Sequence, residues 1–170
     1  MPQLFVLRHA KSSWDDPGLD DHDRPLAPRG RRATKLIAEH LQAHDYHPEL
    51  ILCSTARRTR ETLDGIALTG TTHIEPELYG ASAGDILERL HQVPSDAASA
   101  MVIGHNPALQ ILVLRLTSGH DGAALDDLAE VQRKFPTGAL AVLVFDVAWK
   151  DLRPGAAELV AFVRPKVLAR

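Results

Sequence analysis

Three short apolar runs constrain this chain more than any other feature. Leu4–Leu7 ends at Arg8-His9. Leu50–Cys53 ends at Ser54, with Arg57 and Arg58 just beyond. Ala100–Ile103 ends at Gly104-His105-Asn106-Pro107. Runs of this kind, each followed by a helix-start signal, read as buried strands of an α/β sheet. Such sheets bind ligands beyond the carboxyl ends of their strands. The pattern therefore predicts that two histidines and at least two arginines, far apart in sequence, meet at one rim. Imidazoles among guanidiniums suit phosphoryl transfer, with one imidazole as nucleophile and arginines gripping the equatorial oxygens.

Between these runs the chain reads as alternating strand and helix. A first strand covers about 3–7, and an irregular loop rich in Asp, Pro and Gly covers 12–25. Pro28 opens a helix whose Ala33, Leu36, Ile37 and Leu41 form an apolar stripe and which stops before His47-Pro48. Further helices are expected over about 55–68, 84–92 and 106–116, the last capped by Asn106 with Pro107 at its first position. A short strand is expected over 72–75, a mobile connection with a weak helix near 126–133 over 117–138, and two closing strands over 140–146 and 158–164 joined by a hairpin. The expected fold is α/β: one domain over 1–170, a three-layer αβα sandwich with a mostly parallel central sheet and an antiparallel pair late in the chain.

At 170 residues the chain can bury a proper core, and 45% hydrophobic with 24% charged residues argues against disorder. The formal net charge of −3 gives no basic excess for a nucleic-acid partner. A single cysteine, Cys53, allows neither an internal disulfide nor a thiolate zinc cluster. With no secretory signal and no membrane-length apolar run, the expectation is a cytoplasmic protein with no membrane partner.

Four segments carry a resemblance to a known family. Leu7-Arg8-His9-Ala10 resembles the Arg-His-Gly signature of the histidine phosphatase superfamily, the phosphoglycerate mutase-like fold, with Ala10 where glycine is commonest. Ser54 to Leu63 resembles that family's second-arginine motif, with Arg58 as its phosphate-binding arginine. Gly104-His105-Asn106-Pro107 is similar to its second-histidine motif, and Asp23-Arg24-Pro25-Leu26 followed by Gly30 is similar to the short phosphohistidine phosphatase, or SixA-type, branch. The resemblance implies that His9 attacks phosphorus and transiently carries the phosphoryl group. It implies that Arg8, Arg24 and Arg58 neutralise the phosphoryl oxygens and that His105 donates to a further oxygen as charge shifts. It implies no metal and no cofactor, because fixed cations stand in for them.

Other residues keep two readings. Arg24 either lines the phosphate pocket or anchors the acidic loop through Asp20, Asp21 or Asp23. Trp14 is a substrate-facing platform or a packing anchor. Ser54 reads as a helix cap, Cys53 as core, and Arg57 and Arg60 as solvated partners of Glu61 and Asp64. His40, His44 and His47 have zinc-like spacing but no converging acid, which favours surface histidines. Mutases and many phosphomonoesterases of the superfamily carry a carboxylic acid before a Tyr-Gly or similar pair, and it protonates an alkoxide leaving group. Here Tyr79-Gly80 is preceded at that position by Pro76, so Glu77, or Glu75 on its other side, is the candidate general acid. A missing acid favours good leaving groups such as the imidazole of phosphohistidine. The short chain leaves the site open to a phosphorylated protein, and the acidic loop disfavours polyanions. The leading expectation is hydrolysis of phosphohistidine on a phosphocarrier or histidine phosphotransfer protein, with inorganic phosphate as product. The alternatives are a small-molecule phosphomonoesterase and a non-catalytic phosphoprotein-binding module.

Overall fold

The computed structural model describes residues 1–119 and 125–170. Six strands form one sheet: β1 (Gln3–Arg8), β2 (Leu50–Ser54), β3 (Thr71–Glu75), β4 (Ser99–Gly104), β5 (Leu140–Phe145) and β6 (Ala157–Val163). Their order is β3-β2-β4-β1-β5-β6, and the four strands from β3 to β1 pair in parallel. Only β5 runs against the rest, pairing antiparallel with both β1 and β6.

The alternation of each strand sorts its side chains onto the two faces. Leu4, Val6, Leu52, Val102 and Leu143 point into a core shared with α3 (Ala83–His91), α4 (Ala108–Leu116) and α5 (Leu125–Arg133). Phe5, Leu7, Ile51, Cys53 and Ile103 point into the opposite core, under α1 (Pro28–Ala43) and α2 (Arg57–Ile66). The result is the expected αβα sandwich, in which β1, β2 and β4 are buried on both faces.

This topology places the site. The chain leaves β1 for α1 on one face, and leaves the neighbouring β4 for α4 on the other. Loops parting to opposite faces from adjacent parallel strands open a crevice at their carboxyl ends. Arg8 lies directly opposite Gly104 in the β1–β4 register, so His9 and His105 emerge side by side at that crevice.

Several boundaries differ from the sequence reading for local reasons. α2 starts at Arg57, because Ser54 to Ala56 turn first and Ser54 Oγ accepts the Ala56 N–H at 3.3 Å. It stops at Ile66, where Ala67 turns left-handed. α4 starts at Ala108 with Pro107 at its cap position, one residue later than expected. Asn106 caps from further out: its Oδ1 accepts the Gln110 N–H at 3.3 Å while its amide donates to the Phe135 carbonyl at 3.0 Å. The connection between the closing strands holds a short 3-10 turn over Trp149–Asp151, with Trp149 buried and its indole N–H on the Ala97 carbonyl at 2.9 Å. The weak helix near 126–133 is α5, and residues 120–124 of the connection before it lie outside the described residues. Among the described residues, no helix is long and apolar enough to cross a membrane.

Two glycines near the site are needed for steric reasons. Gly138 has φ +76° and donates its N–H to the carbonyls of Arg8 and His9 at 3.2 and 2.9 Å, fixing the turn out of β1. Gly30, in the first turn of α1, lies against the loop after His9, and a Cβ there would collide with the Lys11 carbonyl. Helix propensity alone would make Gly30→Ala stabilising by about 1 kcal/mol. The collision reverses that sign, so Gly30→Ala should unfold at lower denaturant concentration than wild type, and a rise in the midpoint would refute the close approach.

Candidate active site

The crevice gathers Arg8 and His9 from the end of β1, Ser54 from β2, Arg58 from α2 and His105 from β4. His9 is held twice. Its backbone N–H donates to the Gly104 carbonyl at 3.1 Å, and its Nδ1 lies 2.7 Å from the Ala10 carbonyl. A carbonyl only accepts, so Nδ1 carries the ring proton and Nε2 keeps its lone pair. Ala10 is anchored in turn, since its N–H donates to Thr62 Oγ1 at 3.0 Å and that hydroxyl donates to the Arg58 carbonyl at 2.7 Å. Thr62 thus couples the loop that carries His9 to the helix that carries Arg58.

Burial pushes His9 down from the ordinary histidine value of 6.5 to about 3, helped by the charges around it and opposed by its bond to Ala10. The ring is therefore neutral at physiological pH. His105 lies with its ring centroid 5.4 Å from that of His9. Burial, followed by the Arg58 charge, lowers it to about 4. Its Nε2 lies 2.9 Å from Ser54 Oγ, and its Nδ1 faces Arg58 Nη2 at 3.4 Å. A guanidinium only donates, so Nδ1 acts as the acceptor and Nε2–H donates to Ser54. An oxyanion in front of Nδ1 would reverse that field and favour the protonated, donating ring.

Arg8 donates from Nη1 to the Phe135 carbonyl at 2.9 Å. Arg58 donates from Nη1 to the Asp21 carbonyl at 2.8 Å and from Nη2 to the Asp21 carboxylate at 3.0 Å. The Nε–H groups of both arginines are buried without a hydrogen-bond partner. Two orphaned cationic donors beside a neutral imidazole with a free lone pair make a receptor for a tetrahedral oxyanion.

The other candidates fall elsewhere. Arg24 is buried, but in this pocket it donates to Asp21 at 3.2 Å, to Ser12 Oγ at 2.9 Å and to the Ser13 carbonyl at 3.2 Å, the loop-anchoring geometry. Its guanidinium stacks 3.5 Å above the Trp14 ring, which is 70% exposed. Glu75 spends both oxygens on the Arg89 guanidinium, at 2.7 to 3.1 Å. Glu77 is exposed and makes no hydrogen bond or ion pair with the residues of the crevice. Arg57 pairs with Glu61 at 2.9 Å, whereas Arg60 donates to the Thr55 carbonyl at 2.9 Å. The His40 and His44 rings stack with centroids 4.0 Å apart, and among the described residues no third ligand joins them. Cys53 is fully buried, and burial raises its thiol to about 12.

Sequence reasoning missed a second array at the mouth. The Asp21 carboxylate accepts from Arg58, Arg24 and the Tyr79 hydroxyl, the last at 2.7 Å. The Tyr79 bond, with help from Arg58, holds Asp21 down at about 2. Tyr79 lies edge-on to His22 and His105, at 4.8 and 5.6 Å between centroids, and His22 Nε2 is 2.8 Å from Thr55 Oγ1. Asp21 stood in the sequence only as one of several partners for Arg24, and Tyr79 only as a landmark beside the missing acid. Neither had a signal that paired it with the other.

The fold and this arrangement define a phosphate-handling α/β protein with a histidine at its centre, and the chain belongs to the histidine phosphatase superfamily (branch 1), whose family model matches residues 4–96. An uncharacterised protein of Mycobacterium tuberculosis is 40% identical over 162 residues, covering 94% of this chain and 100% of the relative. A SixA-type structure from Nakamurella multipartitia is 32% identical with a TM-score of 0.85, covering 96% of each chain. The protein histidine phosphatase SixA solved with tungstate is 25% identical with a TM-score of 0.78, covering 98% of this chain and 99% of that one.

The depressed histidines make stability depend on pH. Below the ordinary value of 6.5 the unfolded chain binds protons that folded His9 and His105 refuse until about pH 3 and 4. Their contribution is fully present above pH 6.5 and is lost as pH falls, at about 1.4 kcal/mol per pH unit for each proton. Denaturation measured between pH 6 and 4.5 should show this slope, and His9→Gln should reduce it by about one proton. An unchanged slope would show that His9 titrates normally.

Proposed function

We propose that this protein hydrolyses phosphohistidine on a phosphocarrier or histidine phosphotransfer protein, by way of a phosphorylated His9. The observation that carries this reading is the His9 ring itself: Nδ1–H is tied to the Ala10 carbonyl, Nε2 is free, and the neighbouring Nε–H groups of Arg8 and Arg58 lack partners. The neutral ring attacks phosphorus through Nε2. Arg8 and Arg58 hold the equatorial oxygens, and His105, protonated as the dianion enters, donates from Nδ1 while Ser54 accepts from Nε2. Arg24 reaches the phosphoryl group only by giving up Asp21, so its part in phosphate binding is secondary to holding the loop. Water then attacks phospho-His9 and releases inorganic phosphate.

The leaving group narrows the substrate. Glu75 is bound to Arg89, Glu77 is exposed, and Asp21 is held ionised by Tyr79 and Arg58, so among the described residues no carboxylic acid is poised to protonate an alkoxide. Phosphohistidine protonated on its free ring nitrogen needs none, because it leaves as neutral imidazole, far less basic than an alkoxide. The likeness to the tungstate-bound protein histidine phosphatase supports the same oxyanion receptor and the same substrate class.

Rapid acid quench with labelled substrate should trap acid-labile, alkali-stable label on the enzyme, and His9→Ala should abolish both label and turnover. Exhaustive chelation should leave the rate unchanged. Substrate class is tested by plotting log rate against leaving-group pKa for phosphohistidine protein, aryl phosphates and alkyl phosphates, in wild type and Glu77→Gln. Steep slopes in both enzymes are expected. A shallow wild-type slope that steepens in Glu77→Gln would make Glu77 a working acid and the protein a phosphomonoesterase.

A further inference from the structure

In-line displacement sets where the leaving group goes, because attacking and departing atoms lie on opposite sides of phosphorus. His9 is the buried end of that line, at 6% exposure. The departing group therefore faces the open mouth, where Asp21, His22 and Tyr79 stand. The Asp21 side chain is 48% exposed, and the Tyr79 ring packs edge-on to His105.

The Tyr79 hydroxyl has one proton, and that proton is committed to Asp21 Oδ2 at 2.7 Å. The ionised carboxylate can only accept. It is held in place from behind by Arg58 at 3.0 Å and Arg24 at 3.2 Å. The Arg58 guanidinium also interacts with the phenol oxygen, but that oxygen has two lone pairs, and one remains for the open side. The mouth thus offers the leaving group an acceptor where an alkoxide would need a donor.

We propose that Tyr79 is a catalytic residue that accepts the ring N–H of the departing imidazole, and that Asp21 is the positioning residue that makes it an acceptor. The proposal rests on the phosphohistidine reading and deepens it. The His9 Nε2 lone pair forms the new N–P bond as the substrate's N–P bond breaks, and that bond's electron pair returns to the substrate ring nitrogen. The substrate ring enters as its cation, protonated from solvent on the nitrogen remote from phosphorus, and leaves as neutral imidazole, keeping that proton, which the Tyr79 oxygen accepts throughout. No proton is supplied by the protein in this step. Selectivity follows: the array rewards a leaving ring that carries N–H and gives nothing to a sugar or serine oxygen.

The test compares Asp21→Asn and Tyr79→Phe with wild type, using phosphoimidazole and 4-nitrophenyl phosphate as phosphoryl donors. Rapid-quench kinetics separate phosphorylation of His9 from breakdown of the phosphoenzyme, a step that involves no leaving group. In Asp21→Asn the amide can donate to the phenol oxygen and turn its proton outward. In Tyr79→Phe the acceptor is gone and the ring stays. Both variants should lose about tenfold or more in phosphorylation by phosphoimidazole relative to 4-nitrophenyl phosphate, the order of one hydrogen bond to a charged group. Equal losses with both donors, accompanied by weaker vanadate binding, would reduce the pair to supports for Arg58 and overturn the proposal. If wild type takes phosphate from 4-nitrophenyl phosphate but not from phosphoimidazole, the phosphohistidine reading itself fails and takes this one with it.

Discussion

The in-register parallel pairing of β1 with β4 is the constraint on which the rest of this molecule depends. Arg8 opposite Gly104 sets two histidines from distant parts of the chain at one level. A slip of one residue would turn the inward side chains of β1 to the opposite core and carry His9 away from His105. The apolar runs that make these strands therefore also fix the geometry of the chemistry. The reversal of connection direction between β1 and β4 leaves the crevice open where the histidines emerge.

Gathering Arg8, Arg24 and Arg58 around two imidazoles works against stability. The structure manages the repulsion in two ways. Burial keeps both histidines neutral, which is also the state the nucleophile requires. Asp21 neutralises part of the guanidinium charge and bridges Arg24 to Arg58. What is left over, two buried guanidinium N–H groups without partners, costs about 1–3 kcal/mol for each group and is recovered only when an oxyanion arrives. The pocket is thus destabilised in the direction that favours its ligand, a common feature of binding sites built before their ligand is present.

Much of this was legible in the sequence because strand identity and strand ends are local properties. The fully buried runs ending at Arg8, Ser54 and Gly104 announced both the sheet and its rim. The motifs around His9, Arg58 and His105 needed no knowledge of packing. What stayed hidden was set by long-range approach. Tyr79 directly follows a 3-10 turn (Pro76–Leu78) after β3, an exposed edge strand with little hydrophobic pattern, and nothing local says that its hydroxyl meets Asp21, on the loop after β1. Ser54 read as a helix cap, but the cap position of α2 is Ala56 and Ser54 Oγ only braces the turn before it; its bond to His105 depends on the spacing of β2 and β4, which no local signal shows. Glu75 and Glu77 could not be told apart by sequence, because the choice turns on Arg89 reaching back from α3 to Glu75.

The two ends of the crevice divide the chemistry. The deep end is rigid: His9 is fixed by Gly104, Ala10 and, through Thr62, by α2, so its lone pair has one direction. The mouth rests on the loop over 12–25, stitched down by Arg24 to Ser12, Ser13 and Asp21 and stacked beneath Trp14. A rigid His9 in its proposed role of nucleophile, beneath an open, charged mouth, suits a substrate that brings its own scaffold. A small metabolite would have to be oriented by the few groups at this open mouth, whereas a phosphorylated side chain on a folded partner, the proposed substrate, arrives already oriented by its own protein. On the proposed reaction the discriminating contacts belong at the rim, to the groups that would meet the leaving ring, and the phosphoryl receptor beneath can remain indifferent to what the phosphate came from.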